Sequence, residues 1–120
     1  MRISQAASAS GLSIDTIRYY EKLNLLPRIV RGEDGKRCFS AENVDWLILL
    51  ASLRETGMPL KRMRHFAGLY RKGEKTIPER RQILVDHSRH LDSRRKAVDR
   101  CAELLAYKLK RYDVIAVEGR

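Results

Sequence analysis

Cysteine is scarce in this chain: two in 120 residues, Cys38 and Cys101, far apart in sequence. A disulfide framework is therefore not what organises the fold, and a reducing cytoplasm is the expected setting. Aromatic residues make up only 7% of the chain, a balance that leans towards helix rather than a β-sandwich. No apolar run approaches the roughly 20 residues needed to span a bilayer. The longest, Trp46 to Ala51, is far too short, so no membrane association is expected. The stretch Met1-Arg2-Ile3-Ser4-Gln5 lacks the apolar segment of a secretory signal. Equally missing are a Ser-His-Asp order, paired carboxylates in an apolar setting, a phosphate loop and a zinc motif. His65 and His90 form no ligand pattern with their neighbours. An enzyme is thus not expected, nor a cofactor or a metal site.

Positive charge, by contrast, is plentiful. Twenty-five Lys and Arg against 15 Asp and Glu give a net charge of +10. On so small a protein this favours a polyanionic partner. Acids are interspersed along the whole sequence, which points to a folded basic protein rather than a disordered polycation.

Local signals predict a mainly α chain. Ser4 is placed to cap a short helix through about Ala9, Gly11 gives a permissive turn, and Ser13 caps a second helix from Ile14 to about Leu23. Asp15 lies in that helix's first turn, where the dipole favours a negative charge. Two short helices around a glycine turn form a helix-turn-helix pattern. Leu25 to Arg31 and Lys36 to Phe39 read as extended segments around the turn Gly32-Glu33-Asp34-Gly35, a hairpin carrying Arg28, Arg31, Lys36 and Arg37. Ser40 caps a third, largely apolar helix to about Thr56. After Gly57, Pro59 starts a fourth, which runs to about Lys72 and ends before Gly73.

Beyond residue 73 the character changes. Ile77, Leu84, Leu91, Val98, Leu105 and Tyr112 recur at intervals of seven, the register of a long helix packed on a partner helix. The flanking positions, including Ser88, Arg95, Ala102 and Leu109, are mixed, so the seam is narrow and partly polar. A helix over 77–112 would extend roughly 54 Å, too long to bury its stripe against a small domain, and dimerisation is the simplest remedy. The expected division is a winged helix-turn-helix domain over 1–73, a dimerisation helix over 74–113 and a tail over 114–120.

Taken in order, these elements resemble the MerR family of transcription regulators along essentially the whole chain. The motifs that carry the resemblance are Gly11-Leu12-Ser13-Ile14-Asp15-Thr16-Ile17-Arg18-Tyr19-Tyr20-Glu21 followed by Leu25-Leu26-Pro27, and the wing Gly35-Lys36-Arg37-Cys38-Phe39, where the family pattern is Gly-Tyr-Arg-x-Tyr. Trp46 and Leu53-Arg54-Glu55-Thr56-Gly57-Met58-Pro59-Leu60 match the passage between the third and fourth helices. The size and the ending Lys108-Leu109-Lys110-Arg111-Tyr112 are similar to the NmlR/AdhR-like subgroup, associated with aldehyde, electrophile and nitrosative stress.

The resemblance implies a winged helix-turn-helix with a long C-terminal helix in an antiparallel coiled coil, and a homodimer on double-stranded promoter DNA. Such dimers bend and untwist an overlong promoter spacer, which acts on RNA polymerase indirectly. A cytoplasmic, nucleoid-associated bacterial protein is implied. The expected DNA-binding residues are Ser13, Thr16, Arg18, Tyr19 and Tyr20 from the recognition helix, Arg31, Lys36 and Arg37 from the wing, and Lys61 from the fourth helix. Arg37 is the leading wing residue. For Tyr20 and Glu21 the alternative is that Tyr20 packs inward and Glu21 pairs with a nearby basic residue. Ile77, Leu84, Leu91, Val98, Leu105 and Tyr112 are the dimerisation residues.

For a sensor the sequence departs from its relatives. Metal-sensing members carry a cysteine where Thr76 stands, and the NmlR/AdhR-like reactive cysteine aligns with Ser52. Cys38, between basic wing residues, is one redox candidate, set against a reading as a half-buried stand-in for tyrosine. Cys101 is the other; in an antiparallel pair centred near Arg94 it would face the partner's His87, and its alternative is a small apolar filler. Two further functions compete with the regulator: an architectural DNA binder without effector sensing, and a coiled-coil adaptor.

Overall fold

The computed structural model describes residues 1–119. Among them the chain forms α1 (Ile3–Ser10), α2 (Ile14–Lys22), β1 (Val30–Arg31), β2 (Arg37–Cys38), α3 (Ala41–Glu55), α4 (Leu60–Arg71), a short 3-10 turn (Glu74–Thr76) and α5 (Ile77–Val117). They divide into two compact units, Met1–Ile83 and Leu84–Arg120.

In the first unit, helix ends follow local chemistry. The Ser13 Oγ accepts from the Thr16 backbone N–H at 3.0 Å, and Ser40 caps α3 through Asn43 in the same way. The cap of α1 lies two residues before the expected Ser4: Arg2 is the N-cap, and its backbone N–H donates to Gln5 Oε1 at 2.9 Å. Ser4 is left on the surface. Gly11, at φ +76, stops α1 in the left-handed region that a side chain would strain. Pro59 is the N-cap of α4 rather than a residue within it.

α1 packs on both α2 and α3 around Ala6, Ile17, Leu25, Phe39, Leu47, Leu50 and Met63, all at most 1% exposed. Trp46 organises one side of this core. Its indole N–H donates to the Leu25 carbonyl at 2.9 Å, while its ring stacks on Phe66 and tilts against Tyr70 at centroid distances of 5.3 and 4.3 Å. Arg71 donates to the carbonyls of Asn24 and Leu26. The segment leaving α2 is thereby held from two directions, and α2 is positioned from its C-terminal end.

The hairpin is shorter than the sequence suggests. Its antiparallel ladder joins only Val30 to Cys38 and Arg31 to Arg37. The turn is closed by Gly35 N–H to Gly32 O, and Asp34 Oδ1 accepts from the Lys36 N–H. Met1 pairs with the strand exit, exchanging backbone hydrogen bonds with Phe39.

Between α4 and α5, Thr76 is 4% exposed and its hydroxyl reaches the carbonyls of Leu69 and Gly73, each at 2.7 Å. Arg80 donates to the same hydroxyl and lies over the Tyr70 ring, whose own hydroxyl donates to Glu42. Hydrogen bonding to Glu42, then burial, pushes the Tyr70 phenol above its ordinary value. The junction between α4 and α5 is thus a saturated set of hydrogen bonds centred on Thr76.

The second unit is the continuation of α5, which remains helical to Val117, past the boundary expected at 113. Leu84, Val98, Leu105 and Tyr112 are exposed along it, and Leu91 is half-exposed. Val98, Ala102, Leu105, Leu109, Tyr112 and Ala116 step alternately by four and three residues, the spacing of a helix–helix seam. Upstream, the seam is interrupted by Ser88 and Arg95. No helix among the described residues is long and apolar enough to cross a membrane.

Candidate nucleic-acid interface

α2 offers polar groups on one side because its apolar residues are drawn inward. Ile17 and Tyr20 are buried; Ser13, Arg18 and Tyr19 are exposed, and Thr16 is half-exposed. The Ser13 and Thr16 hydroxyls hydrogen-bond to each other at 2.8 Å, which fixes both at the helix N-terminus. There, unpaired backbone N–H groups favour an anion.

Tyr20 departs from the expected surface role. It is 6% exposed in the core, and burial pushes its phenol above the ordinary value. At 100° per residue, Tyr20 follows Ile17 onto the same face while Tyr19 turns away. Of the paired tyrosines, Tyr19 alone, 51% exposed, presents its ring outward.

Arg18 meets the wing. A cleft of about 490 Å³ is lined by Arg2, Ile3 and Ser4 at the start of α1, by Arg18 of α2, and by Arg31, Gly35, Lys36 and Arg37 of the hairpin. Five basic side chains from three elements thus surround one concavity. Their pairing separates them. Arg2 is ion-paired with Asp34 at the hairpin turn, and Arg31 donates to the Gly35 carbonyl at 2.8 Å. Arg37 makes a two-pronged contact with Glu21 of α2, Nε to Oε2 at 2.7 Å and a second guanidinium nitrogen to Oε1. Arg18 and Lys36 have no ion-pair partner among the described residues. With Arg31, whose contact is to a neutral carbonyl, they are the cleft charges that no carboxylate neutralises among the described residues.

Arg37, the expected leading wing residue, lines the cleft and also carries this internal ion pair. Its guanidinium is held by Glu21, whose hydrogen bonds keep it above its ordinary pKa. Local sequence signals also give no hint of Arg2. Its role depends on a partner 32 residues away, and no periodicity or cap signal reports such a contact. Lys61, near the start of α4, is exposed and lies outside the cleft lining.

Asp34 offers a pH test of the wing's anchoring. The Arg2 hydrogen bond, then the Lys36 N–H, hold its carboxyl below the ordinary 3.8. A depressed folded-state value means the contact contributes fully above 3.8 and is lost as pH falls through the lowered value. Followed by carboxyl-carbon NMR, Asp34 will titrate below 3.8 and return towards it in Arg2→Gln. A midpoint unmoved by that substitution would show that Arg2 does not hold it.

Cys38 and Cys101 are both exposed free thiols. Cys38 is a strand residue, but exposed rather than half-buried as the alternative reading has it, and the Met1 nitrogen lies 3.7 Å from its sulfur. No group of three or more His, Cys, Asp or Glu that could hold a metal occurs among the described residues.

Residues 1–67 match the family described as MerR HTH family regulatory protein, and residues 44–107 match MerR, DNA binding. An HTH-type transcriptional regulator of Haemophilus influenzae is 37% identical over 109 residues, covering 91% of this chain and 81% of its own. The transcriptional regulator AdhR of Bacillus subtilis is 32% identical over 91 residues, covering 76% and 65% respectively. The crystal structure of HiNmlR, described as a MerR family regulator lacking the sensor domain and bound to promoter DNA, superposes with a TM-score of 0.87. It is 34% identical, with 99% of this chain and 94% of that one covered.

Proposed function

This chain belongs to the MerR family of DNA-binding transcriptional regulators, and from that premise we propose that it binds promoter DNA as a homodimer and distorts an overlong spacer. The observation that carries this reading is the cleft in which unpaired Arg18 and Lys36 converge from the recognition helix and the wing. Arg18 reads a guanine edge or a phosphate, Tyr19 packs on sugar or a thymine methyl, and Ser13 and Thr16 seat a phosphate at the α2 N-terminus. Lys36 and, from α4, Lys61 grip the flanking backbone. A smooth bend over such a site costs about 1–6 kcal/mol, which doubled phosphate contacts in a dimer offset.

Dimerisation follows from the α5 stripe. Ile77, Leu84, Leu91, Val98, Leu105 and Tyr112 pair with a second copy in antiparallel order, removing exposed apolar surface from water. Leu105→Ala will weaken self-association by about tenfold to a hundredfold in analytical ultracentrifugation, since each dimer loses two buried side chains. An unchanged dissociation constant would remove Leu105 from the seam.

The protein is placed in the cytoplasm with the nucleoid, and acts on RNA polymerase only through the shape of the promoter. A stress signal, if electrophilic or oxidising, enters through Cys38 or Cys101, because Ser52 and Thr76 carry no thiol. The relative described as lacking a sensor domain favours a second reading, an architectural or constitutive DNA binder.

The deciding experiment is fluorescence anisotropy with DNA from upstream of the protein's own gene, against a scrambled fragment of equal length, at near-physiological salt. Preferential tight binding supports the regulator. Transcription in vitro, with and without oxidant or aldehyde, then separates a sensor from an architectural binder. Equal weak binding to both fragments would count against specific recognition of that region.

A further inference from the structure

An acidic residue on a DNA-facing surface ordinarily repels the ligand, yet Glu21 sits at the end of the recognition helix beside the basic cleft. It is part-buried there, with both carboxylate oxygens engaged by Arg37 of β2. A two-pronged guanidinium–carboxylate contact fixes orientation as well as distance. Arg2–Asp34 and the Met1–Phe39 backbone pair tie the hairpin to α1, but Glu21–Arg37 ties it to the recognition helix. The hairpin's ladder contains two residue pairs, and its strands carry little apolar anchorage: Val30 is 71% exposed, and Arg31 and Cys38 are exposed. A ribbon this short is marginal in water by itself.

We propose that Glu21 is a positioning residue for DNA recognition: its ion pair with Arg37 holds the wing in fixed register with the recognition helix, so that Lys36 and Arg18 meet one DNA backbone as a preset pair. Arg37 thereby serves sequence recognition by placing the wing. Preset geometry spares the ordering cost of immobilising the wing upon binding. Non-specific binding, which depends on charge alone, gains nothing from it. The proposal rests on the DNA-binding reading for its consequence, but the latch itself is a property of the free protein.

The predicted sign is opposite to simple electrostatics. Glu21→Gln removes a negative charge from the DNA face, so non-specific affinity for the scrambled fragment rises or holds, while affinity for the native site falls about tenfold. The exchanged pair Glu21→Arg with Arg37→Glu, which rebuilds the contact in reverse, recovers most of the specific affinity. Hydrogen–deuterium exchange of the free proteins supplies the second readout. Amide exchange over residues 30–38 rises in Glu21→Gln and is restored in the exchanged pair, while α3 stays as protected as in the parent. Unchanged wing exchange, or stronger binding of Glu21→Gln to both DNAs, overturns the proposal. Faster wing exchange in a protein that shows no site preference would keep the latch and overturn its role in recognition, leaving the DNA-binding reading itself to the parent titration.

Discussion

Replacing Arg18 with alanine will leave the protein folded and strip it of sequence-specific DNA binding. The side chain is exposed and makes no ion pair among the described residues, so its loss disturbs no internal ion pair. A bidentate arginine–base contact is worth about 1–3 kcal/mol of discrimination. Two copies in a dimer place the total at roughly 2–6 kcal/mol, a loss of about thirtyfold to more than ten-thousandfold. The form of the loss also tells which atom Arg18 touches. If it reads a guanine, discrimination between native and altered sites collapses while the salt dependence barely changes. If it grips phosphate, binding weakens about equally on all sequences, and the slope of log K against log salt falls by about one for each phosphate no longer neutralised. Anisotropy titrations at several salt concentrations on both DNAs distinguish the two, and undiminished specific affinity would remove Arg18 from the interface. Lys36, which also makes no ion pair among the described residues, will follow the phosphate pattern.

The largest loss of stability is expected at Trp46. Its indole is 7% exposed, stacks on Phe66, contacts Tyr70 and donates to the carbonyl of Leu25. Trp46→Ala removes the ring and leaves a cavity, a loss of about 3–5 kcal/mol. It also leaves that carbonyl without its donor. Against the roughly 5–15 kcal/mol that hold a typical domain folded, this brings the protein close to unfolding. Trp46→Phe separates the two contributions. The aromatic contact persists in part, the hydrogen bond is gone, and about 1–3 kcal/mol is lost for the orphaned acceptor. Urea unfolding at one fixed protein concentration measures both, since dimerisation would otherwise add its own mass-action contribution. A loss below about 1 kcal/mol for Trp46→Ala would show that the segment leaving α2 is held by other contacts, Arg71 foremost.

Periodicity and caps account for much of the helical part of the molecule. Ser13 and Ser40 cap the helices whose starts they mark in the sequence, and α3 spans Ala41–Glu55, within a residue of its expected end. These are short-range effects, decided by neighbours three or four positions away. Where expectation and structure differ, the deciding contact is distant or the local signal thin. The start of α1 differs because Arg2 and Gln5 form the first turn, with no serine cap involved. Strands reduced to two residues each lack the alternation by which a strand is recognised. The 3-10 turn at Glu74–Thr76 has no local signature; Thr76 holds it by reaching back to Leu69 and Gly73.

The interface divides along the same line. Sequence by itself determined that this is a basic, mainly helical protein of the MerR family, that Arg18 and Tyr19 lie on the exposed side of a capped helix, and that an apolar heptad runs down the final helix. Composition, 3.6-residue periodicity and cap chemistry are properties of the chain taken locally. Only the tertiary structure decided which charges remain free. Lys36 and Arg37 are adjacent and both cationic; the family pattern singles out Arg37, but nothing local tells which of them meets a carboxylate. Folding brings Glu21 within reach of one and leaves the other open to the cleft. That outcome depends on hydrogen-bond distances between residues 16 positions apart, and only the packed core beneath α2 and the wing sets them.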